Sequence, residues 1–285
     1  GSGEMSLAAA RAATAWRVCV TCGAGQPKLR CERDGFHIVE CNACGLVYVG
    51  QDPQQIDFAA LYGEAYYTGG QEGVFADYVG QAPARRAAAR RRLWSLRRMK
   101  PNGRLLDVGC AAGFFLAEAQ AHYQVQGVEL SEYSSRFARE KLGLDVFTGT
   151  LPQAALPAAR FDVVTLWDVI EHVADPAALL LEVARVLAPG GRVVLTTGDI
   201  GCDYARAQGA QWHLMTPPWH LYFFSRATLA TLAARAGLRV DHVAARGVAG
   251  DGRFARSKPG IVLNHWLGRG DIMQVTLSHA ANVTP

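Results

Sequence analysis

Residues 105–115, LLDVGCAAGFF, place an apolar run directly before a glycine turn. Gly109 permits a tight turn, and Gly113 precedes apolar residues that suit a helix packed close to the strand. A second predicted strand, 124–129, ends in Glu129, about 20 residues after the turn, where such folds present a carboxylate to ribose hydroxyls. The stretch therefore predicts a strand, a turn and a helix at the ligand edge of a parallel sheet.

The turn differs from a dinucleotide-binding loop, because Ala111 and Ala112 replace its middle glycine. Asp107, just before the turn, would repel a pyrophosphate but suits a ligand with an ammonium group. S-adenosylmethionine (SAM) has an ammonium group and a ribose and carries no phosphate. The sequence here resembles the first motif of class I SAM-dependent methyltransferases. Taken alone, this motif also fits an ordinary strand-to-helix turn.

Later segments resemble the same superfamily. Residues 161–173, FDVVTLWDVIEHV, are similar to its fourth-strand motif, and residues 187–191, LAPGG, to the motif before its fifth strand. Residues 218–225, PWHLYFFS, resemble a segment of a bacterial subgroup that modifies sugars, polysaccharide precursors and secondary metabolites and often carries an N-terminal zinc ribbon. The resemblance covers about residues 60–245.

Two C-x-x-C knuckles, each followed by a glycine, have the spacing of a zinc ribbon. Four thiolates complete a tetrahedral zinc shell, which predicts a structural rather than a catalytic Zn²⁺ held by Cys19, Cys22, Cys41 and Cys44. A pair of redox-active or free cysteine motifs is the alternative. The remaining cysteines are expected to be small buried or partly buried side chains: Cys31, Cys110 and Cys202.

The pattern after residue 104 alternates strand-like and helix-like segments, which favours a parallel sheet with helices on both faces. We predict an α/β fold, with a Rossmann-like, seven-stranded, mostly parallel sheet preceded by a small four-cysteine zinc ribbon. The predicted strands are 104–108, 124–129, 144–147, 161–167, 191–197, 238–245 and 271–279, and the predicted helices are 113–121, 132–142, 175–187 and 225–236. The predicted domains are the ribbon at 16–50, a connector and basic helix covering the cofactor site at 51–100, and the SAM-binding domain at 101–285.

The resemblance implies a set of cofactor contacts. The methionine end of SAM would meet Asp107 and the backbone of Gly109, Cys110 and Gly113. The ribose hydroxyls would bind Glu129, and the adenine would lie against Leu130.

Other expected contacts come from the neighbouring strands and the connector. Trp167 and Asp168 would lie near the sulfonium or the methionine tail. Thr150 and Leu151 follow the third strand, where the family often has an aspartate on the adenine amine, so Thr150 departs from that pattern. In the connector, Tyr67 or its neighbour Tyr66 would close over the cofactor or pack in the core. These contacts are expectations from the resemblance.

Methyl transfer from SAM mainly requires alignment of donor and acceptor, and a hydroxyl acceptor also requires a base, most often histidine. The candidate catalytic residues are His172, His220 and Glu171, with a structural role as the alternative. Asp168, Glu171 and His172 also resemble the acid-x-x-Glu-His cluster of ubiquinone-pathway O-methyltransferases, which implies a second divalent metal. A helix-start motif without metal is the alternative.

The chain has 285 residues, half of them hydrophobic, and a net charge of +4, which does not by itself indicate nucleic acid. The arginines between Arg85 and Arg98 belong either to a solvated helix face or to a contact for a phosphorylated or acidic substrate. The Ala-rich residues 7–15 lack the features of a secretory signal, and no apolar run reaches the about 18 residues of a membrane helix. We expect a cytoplasmic protein without a membrane partner.

The leading hypothesis is a SAM-dependent methyltransferase that acts on a small-molecule acceptor, free, phosphorylated or carrier-bound. The acceptor would be a natural-product intermediate, a sugar or a glycan precursor, with O-methylation favoured over N- or C-methylation. An rRNA or tRNA base methyltransferase is the first alternative, although residues 168–173 suit the small-molecule subgroup and no Asn-Pro-Pro-Tyr type motif follows the fourth strand. A non-catalytic carrier- or partner-binding protein is the second, and the sequence leaves the oligomeric state open.

Overall fold

A computed structural model describes residues 16–69, 77–247 and 269–281. The Ala-rich residues 7–15 lie outside these ranges. The chain divides into two compact units that are each discontinuous in sequence. Among the described residues, the first unit contains those up to Ile56, Asp168–Leu181 and those from Leu195 onward, and the second unit contains those within Asp57–Trp167 and Glu182–Val194.

The strands, numbered in chain order, are β1 Lys28–Arg33, β2 Phe36–Glu40, β3 Val47–Val49, β4 Gly103–Val108, β5 Tyr123–Glu129, β6 Val146–Thr148, β7 Phe161–Trp167, β8 Leu187–Gly198, β9 Tyr222–Phe223, β10 Leu238–Arg246 and β11 Ile272–His279. The α-helices are α1 Phe58–Leu61, α2 Glu64–Thr68, α3 Ala82–Met99, α4 Phe114–Ala119, α5 Glu132–Leu142, α6 Pro176–Val186, α7 Asp203–Gln208 and α8 Arg226–Arg235. Short 3-10 helices lie at Pro53–Gln55, Pro152–Ala154 and Gly209–Gln211. Among the described helices, none combines the length and hydropathy that a membrane crossing needs.

Seven strands form one sheet in the order β10-β11-β8-β7-β4-β5-β6. The pairs β4–β5, β4–β7 and β5–β6 are parallel, and β10–β11 is antiparallel. This confirms the predicted Rossmann-like, mostly parallel α/β sheet. One strand begins earlier than predicted, at Leu187 rather than at residue 191. Pro189 explains the shift, because a proline disfavours helical backbone at the residue before it.

The ribbon strands form a separate four-stranded sheet in the order β1-β2-β3-β9. All three pairings in this sheet are antiparallel. The first three strands follow each other in the chain, whereas β9 comes from Tyr222–Phe223, far along the sequence. The ribbon sheet is therefore completed by a segment outside the ribbon's own sequence.

The core of the second unit explains why α3 is helical there. Ala89, Leu93 and Leu96 are buried at helical spacing, and they join a cluster that includes Leu105 of β4 and Phe115 of α4. Burying one such leucine side chain stabilises a fold by about 1.5–3 kcal/mol. The apolar stripe thus fixes α3 against the helix that follows the glycine turn.

Candidate cofactor site, histidine pair and metal centre

Four of the predicted cofactor contacts lie at one edge of the second unit. Gly109 follows β4, Glu129 ends β5, Thr150 follows β6 and Trp167 ends β7. These strands are parallel neighbours, so their carboxyl ends share one edge of the sheet. Ligands of open α/β sheets bind at this edge.

The glycine turn is tight and partly strained. Ala111 has φ +48°, a left-handed conformation that side chains other than glycine rarely adopt, and its N–H donates to Glu129 Oε2 at 2.8 Å. Gly113 has φ +79°, and a Cβ there would lie 2.5 Å from Leu144 Cδ1 and 3.0 Å from Ala138 Cβ. The close approach that Gly113 permits is therefore to Ala138 of α5 and to Leu144, two residues beyond the end of that helix, rather than to the strand.

The Glu129 carboxylate is buried and held by several donors. Its Oε1 accepts the Ser131 N–H at 2.8 Å. Burial raises the pKa of Glu129, whereas hydrogen bonds from the N–H groups of Ser131, Ala111 and Leu130 and from the Tyr67 hydroxyl lower it. The carboxylate is thus fixed in orientation at the end of β5.

Asp107 is the second buried carboxylate of this edge. It accepts a hydrogen bond from the Thr165 hydroxyl at 2.6 Å. Burial raises the pKa of Asp107 to about 7, although Thr165 and the positive charge of Arg92 oppose that shift and Glu129 adds to it. Asp107 is therefore poised to ionise when a cation approaches.

Arg92 and Trp167 lie near the buried carboxylate of Asp107. The Arg92 guanidinium lies 4.6 Å from the centre of the Trp167 ring. Within the described residues, Trp167 Nε1 is buried without a hydrogen-bond partner. The sequence did not single out Arg92, because it is one of several arginines on α3. Its position next to the buried Leu93 could have indicated that it lies near the core-facing side of the helix.

Most arginines of α3 contact groups of their own unit. Arg86 pairs with Glu118 of α4 at 2.8 Å, and Arg90 reaches the same carboxylate at 3.4 Å. Arg85 lies over the Tyr78 ring at 4.2 Å. The helix is therefore largely engaged within the fold, which argues against a nucleic-acid surface.

The remaining predicted contacts have local roles. Thr150 directs both its N–H and its hydroxyl to Gln153 Oε1, at 2.8 and 2.9 Å. Leu151 and Cys110 are buried. Tyr67 is buried among aromatic rings, 5.4 Å from Tyr78 and 6.2 Å from Tyr133 by ring centroids. Leu130 is partly exposed.

Two histidines face each other in the first unit. His172 Nδ1 lies 2.8 Å from the Trp219 carbonyl, and His220 Nδ1 lies 2.6 Å from the Leu214 carbonyl. A carbonyl only accepts, so Nδ1 carries the hydrogen in both rings and each Nε2 carries a lone pair. The ring centroids are 4.6 Å apart. Burial lowers the pKa of His172 to about 3, with His220 adding to the shift, and burial also lowers the pKa of His220, so both rings are neutral at neutral pH.

Glu171 completes this group. It is buried, and within the described residues its Oε2 has no hydrogen-bond partner. Burial, followed by the charge of Asp168, raises the pKa of Glu171 to about 8. Ligand atoms of Glu171, His172 and His220 lie within 4.8 Å of one another. Asp168 is not in this group and instead accepts the Thr196 hydroxyl at 2.7 Å, so the predicted metal set is corrected: His220 takes the place of Asp168.

The four ribbon cysteines converge in the first unit. Their Sγ atoms all lie within 4.8 Å of one another, with Cys19–Cys44 at 3.5 Å and Cys22–Cys41 at 3.4 Å. A tetrahedral zinc with Zn–S bonds of about 2.3 Å separates its sulfurs by about 3.8 Å, so the cluster fits that ion. Burial raises the pKa of Cys19 and of Cys44, whereas the N–H groups of Cys44 and Ala43 outweigh burial at Cys41 and lower its pKa to about 7, so Cys41 is the readiest of these three to become a thiolate.

A cleft of about 600 Å³ also lies in the first unit, next to the end of β8. Its charged and polar lining includes both signs: Arg206, Arg226, Arg269, Asp199, Asp203 and Tyr204. Arg226 pairs with Asp199 at 3.0 Å, and Arg206 pairs with Asp203. Such a lining, with charges of both signs, suits a polar molecule.

Comparisons with known proteins agree with this geometry. A family profile described as "Methyltransferase domain" matches residues 78–243. Ubiquinone biosynthesis O-methyltransferases of Thiobacillus denitrificans and Xanthomonas axonopodis pv. citri are 37% identical over 154 residues and 34% identical over 161 residues. These alignments cover 49% and 51% of this chain. They cover 66% and 67% of those proteins, so the chain spans about two thirds of the length of the curated relatives it matches.

A solved structure supports the fold. A SAM-dependent methyltransferase from Thermotoga maritima, described as a possible histamine N-methyltransferase, superposes with a TM-score of 0.54 at 22% identity. The superposition covers 71% of this chain and 95% of that one. Fold, motif order and sequence relatives converge, and the chain belongs to the methyltransferase-domain family.

Proposed function

We propose that the protein transfers a methyl group from SAM to a hydroxyl group of a small molecule. The observation that carries the proposal is the pair of buried carboxylates, Asp107 and Glu129, at the ends of neighbouring strands beside a turn without the glycines of a pyrophosphate loop. SAM matches this pair, because it presents an ammonium group and ribose hydroxyls and has no phosphate. When bound, SAM supplies a methyl group on an already activated sulfonium.

In this proposal, different residues of the second unit bind different parts of SAM. Glu129 accepts hydrogen bonds from the ribose hydroxyls, and Asp107 pairs with the ammonium group. The Arg92 guanidinium is suited to the methionine carboxylate, because Arg binds carboxylates through paired N–H donors. Trp167 Nε1, buried without a partner among the described residues, supports the proposal by offering a further donor. Leu130 provides apolar surface for the adenine.

The histidine pair supports a hydroxyl acceptor. Both rings are neutral with Nε2 as the basic atom, which is the form a general base requires. We assign the base to His220, whose Nε2 takes the proton that the acceptor hydroxyl loses as the methyl group is transferred; His172, with a pKa of about 3, is a much weaker base and orients its neighbour. Because these rings are held by backbone carbonyls, no reorientation is needed before proton transfer. The chain itself thus positions and moves the acceptor proton.

The same atoms are able to hold a divalent cation. Two imidazoles and a carboxylate form a common ligand set, and a bound cation would lower the pKa of an acceptor hydroxyl. A cation on Nε2 would replace the histidines as bases, so the two roles exclude each other. We favour the base. The ribbon cysteines would hold a structural Zn²⁺, and a reducing compartment such as the cytoplasm would keep their thiols available.

For the finer acceptor class, we propose a polar molecule such as a sugar phosphate or a carrier-bound intermediate. The charged lining of the cleft supports a polar acceptor over an apolar one, although Asp199 and Asp203 partly neutralise its guanidinium groups. The RNA alternative is weaker, since the arginines of α3 are mostly engaged with Glu118 and aromatic rings. RNA binding would also fall steeply with salt concentration.

The test is methyl transfer from labelled SAM to acceptor pairs that differ only in the accepting atom. One pair is catechol and its diamine analogue, and the other is a hexose phosphate and the matching amino-hexose phosphate. We expect labelled product with the hydroxyl compound of at least one pair. Transfer confined to the amines, or to total RNA with a steep salt dependence, would contradict O-methylation of a small molecule.

A further inference from the structure

The late strand β9 joins the ribbon to the histidine pair. Tyr222 pairs with Tyr48 of β3, and Phe223 pairs with Val47. The Val49 N–H donates to the Leu221 carbonyl at 2.9 Å. The residue immediately after His220 is thus held by the ribbon sheet.

The same backbone also holds the segment of the second histidine. The Leu221 N–H donates to the Glu171 carbonyl at 2.8 Å. Leu221 is therefore fixed from both sides, by Val49 through its carbonyl and by Glu171 through its N–H. His220 precedes Leu221 and His172 follows Glu171, so this one residue links both histidines to β3.

Side chains form a second connection between the ribbon and the segment that follows His172. Arg17, two residues before Cys19, donates through Nε to the Val49 carbonyl at 2.9 Å. Its guanidinium also donates to the Tyr222 hydroxyl at 2.5 Å, and that hydroxyl donates to the Ala174 carbonyl at 2.7 Å. Tyr222 is buried, so this chain of hydrogen bonds is shielded from water.

The ribbon strands in this linkage are short. β3 has three residues and β9 has two, too few to be stable alone. The Cys41 N–H donates at 2.8 Å to the carbonyl of Leu46, the residue before β3, which links the second knuckle to the start of that strand. Metal binding supplies much of the folding free energy of such small modules. Order in β3 and Arg17 should therefore depend on the ion in the cysteine cluster.

We propose that the zinc-loaded ribbon positions the histidine pair, with Tyr222 and Arg17 as the positioning residues. The inference rests on the proposed function only where it concerns catalysis. Loss of the ion, or of the Tyr222 hydroxyl, loosens the carbonyls that fix the two Nδ1–H tautomers. SAM binding uses residues of the other unit, so its affinity should not change.

The experiment compares Tyr222→Phe with Tyr123→Phe in the full chain. Both remove one buried tyrosine hydroxyl that donates to a backbone carbonyl, but the Tyr123 hydroxyl donates to Lys100 in the second unit and has no part in the ribbon sheet. We measure imidazole nitrogen signals by NMR, SAM affinity by calorimetry, bound zinc by mass spectrometry, and kcat. A second arm repeats the NMR measurement on wild-type protein after zinc removal by a chelator.

We expect Tyr222→Phe to retain zinc and SAM affinity, to broaden or shift the signals of His172 and His220, and to lower kcat severalfold. Tyr123→Phe should match the wild type, and zinc removal should abolish the Nδ1–H signature. Unchanged histidine signals in both Tyr222→Phe and the zinc-free protein would overturn the inference. Altered signals with an unaffected kcat would instead overturn the assignment of the histidines as bases, which separates the two failures.

Discussion

Glu129→Gln is expected to weaken SAM binding by about 100-fold or more, as measured by calorimetry. Hydrogen bonds to a charged group contribute about 1.5–3 kcal/mol each, and two ribose hydroxyls are involved, so about 3 kcal/mol or more is lost. The substitution also creates a local conflict. Oε1 and Oε2 each accept a backbone N–H, so either orientation of the glutamine places its NH2 group against a donor.

Glu132→Gln is the matched control for this substitution. Glu132 lies three positions further on and is 62% exposed in a surface pair with Arg139, which contributes little. Its SAM affinity should equal that of the wild type. Thermal unfolding of both variants separates lost binding from lost folding. A Glu129→Gln protein that folds normally and binds SAM like the wild type would refute the assignment of the ribose contact.

The second large effect is expected at the histidine pair. His220→Ala should lower kcat by about 100- to 10,000-fold, because general-base catalysis contributes rate factors of that order, and His172→Ala should lower it less, because a ring with a pKa of about 3 is a weak base. SAM affinity should remain unchanged. The readout is kcat with the best hydroxyl acceptor, together with the calorimetric affinity for SAM. His242→Ala is the control, because that histidine is exposed on β10.

Two outcomes of the histidine experiment carry different meanings. If only one of the two variants loses activity, the histidine that was replaced in the variant that stays active has a structural role. If both variants keep the kcat of His242→Ala, neither histidine is the base. Addition of divalent cations to the untreated wild type adds a further distinction, since a metal at Glu171, His172 and His220 would make kcat depend on the added cation, whereas a chelator would also remove zinc from the ribbon.

Local motifs made much of the cofactor edge predictable from sequence. Asp107, the glycine turn and Glu129 lie within a single strand-turn-helix-strand unit, so their spacing alone predicts one edge of a sheet. The seven-stranded, mostly parallel sheet was predictable from the alternation of strands and helices. Gly113 was placed correctly in the turn, but its close neighbours, Ala138 and Leu144, come from α5 and from just beyond its end and were not readable from the motif.

The other features depend on contacts between distant residues. His172 and His220 meet only because β9 carries Leu221 to the Glu171 carbonyl, and a two-residue strand has no sequence signature. The metal prediction chose Asp168 because it lies in the same motif, whereas the fold supplies His220 instead. Arg92 was hidden among arginines of the same helix, and only its neighbours Asp107 and Trp167 distinguish it.

Titration of SAM into the wild-type chain at several pH values tests the central claim most directly. The free Asp107 carboxyl has a pKa of about 7, and an ammonium group favours its ionised form, so binding should lower that pKa. We predict one SAM per chain, with a proton released at about pH 6 and an affinity that rises as the pH increases through 7; Asp107→Asn should remove the proton release. No binding of SAM, or pH-independent binding that Asp107→Asn leaves unchanged, would contradict the account.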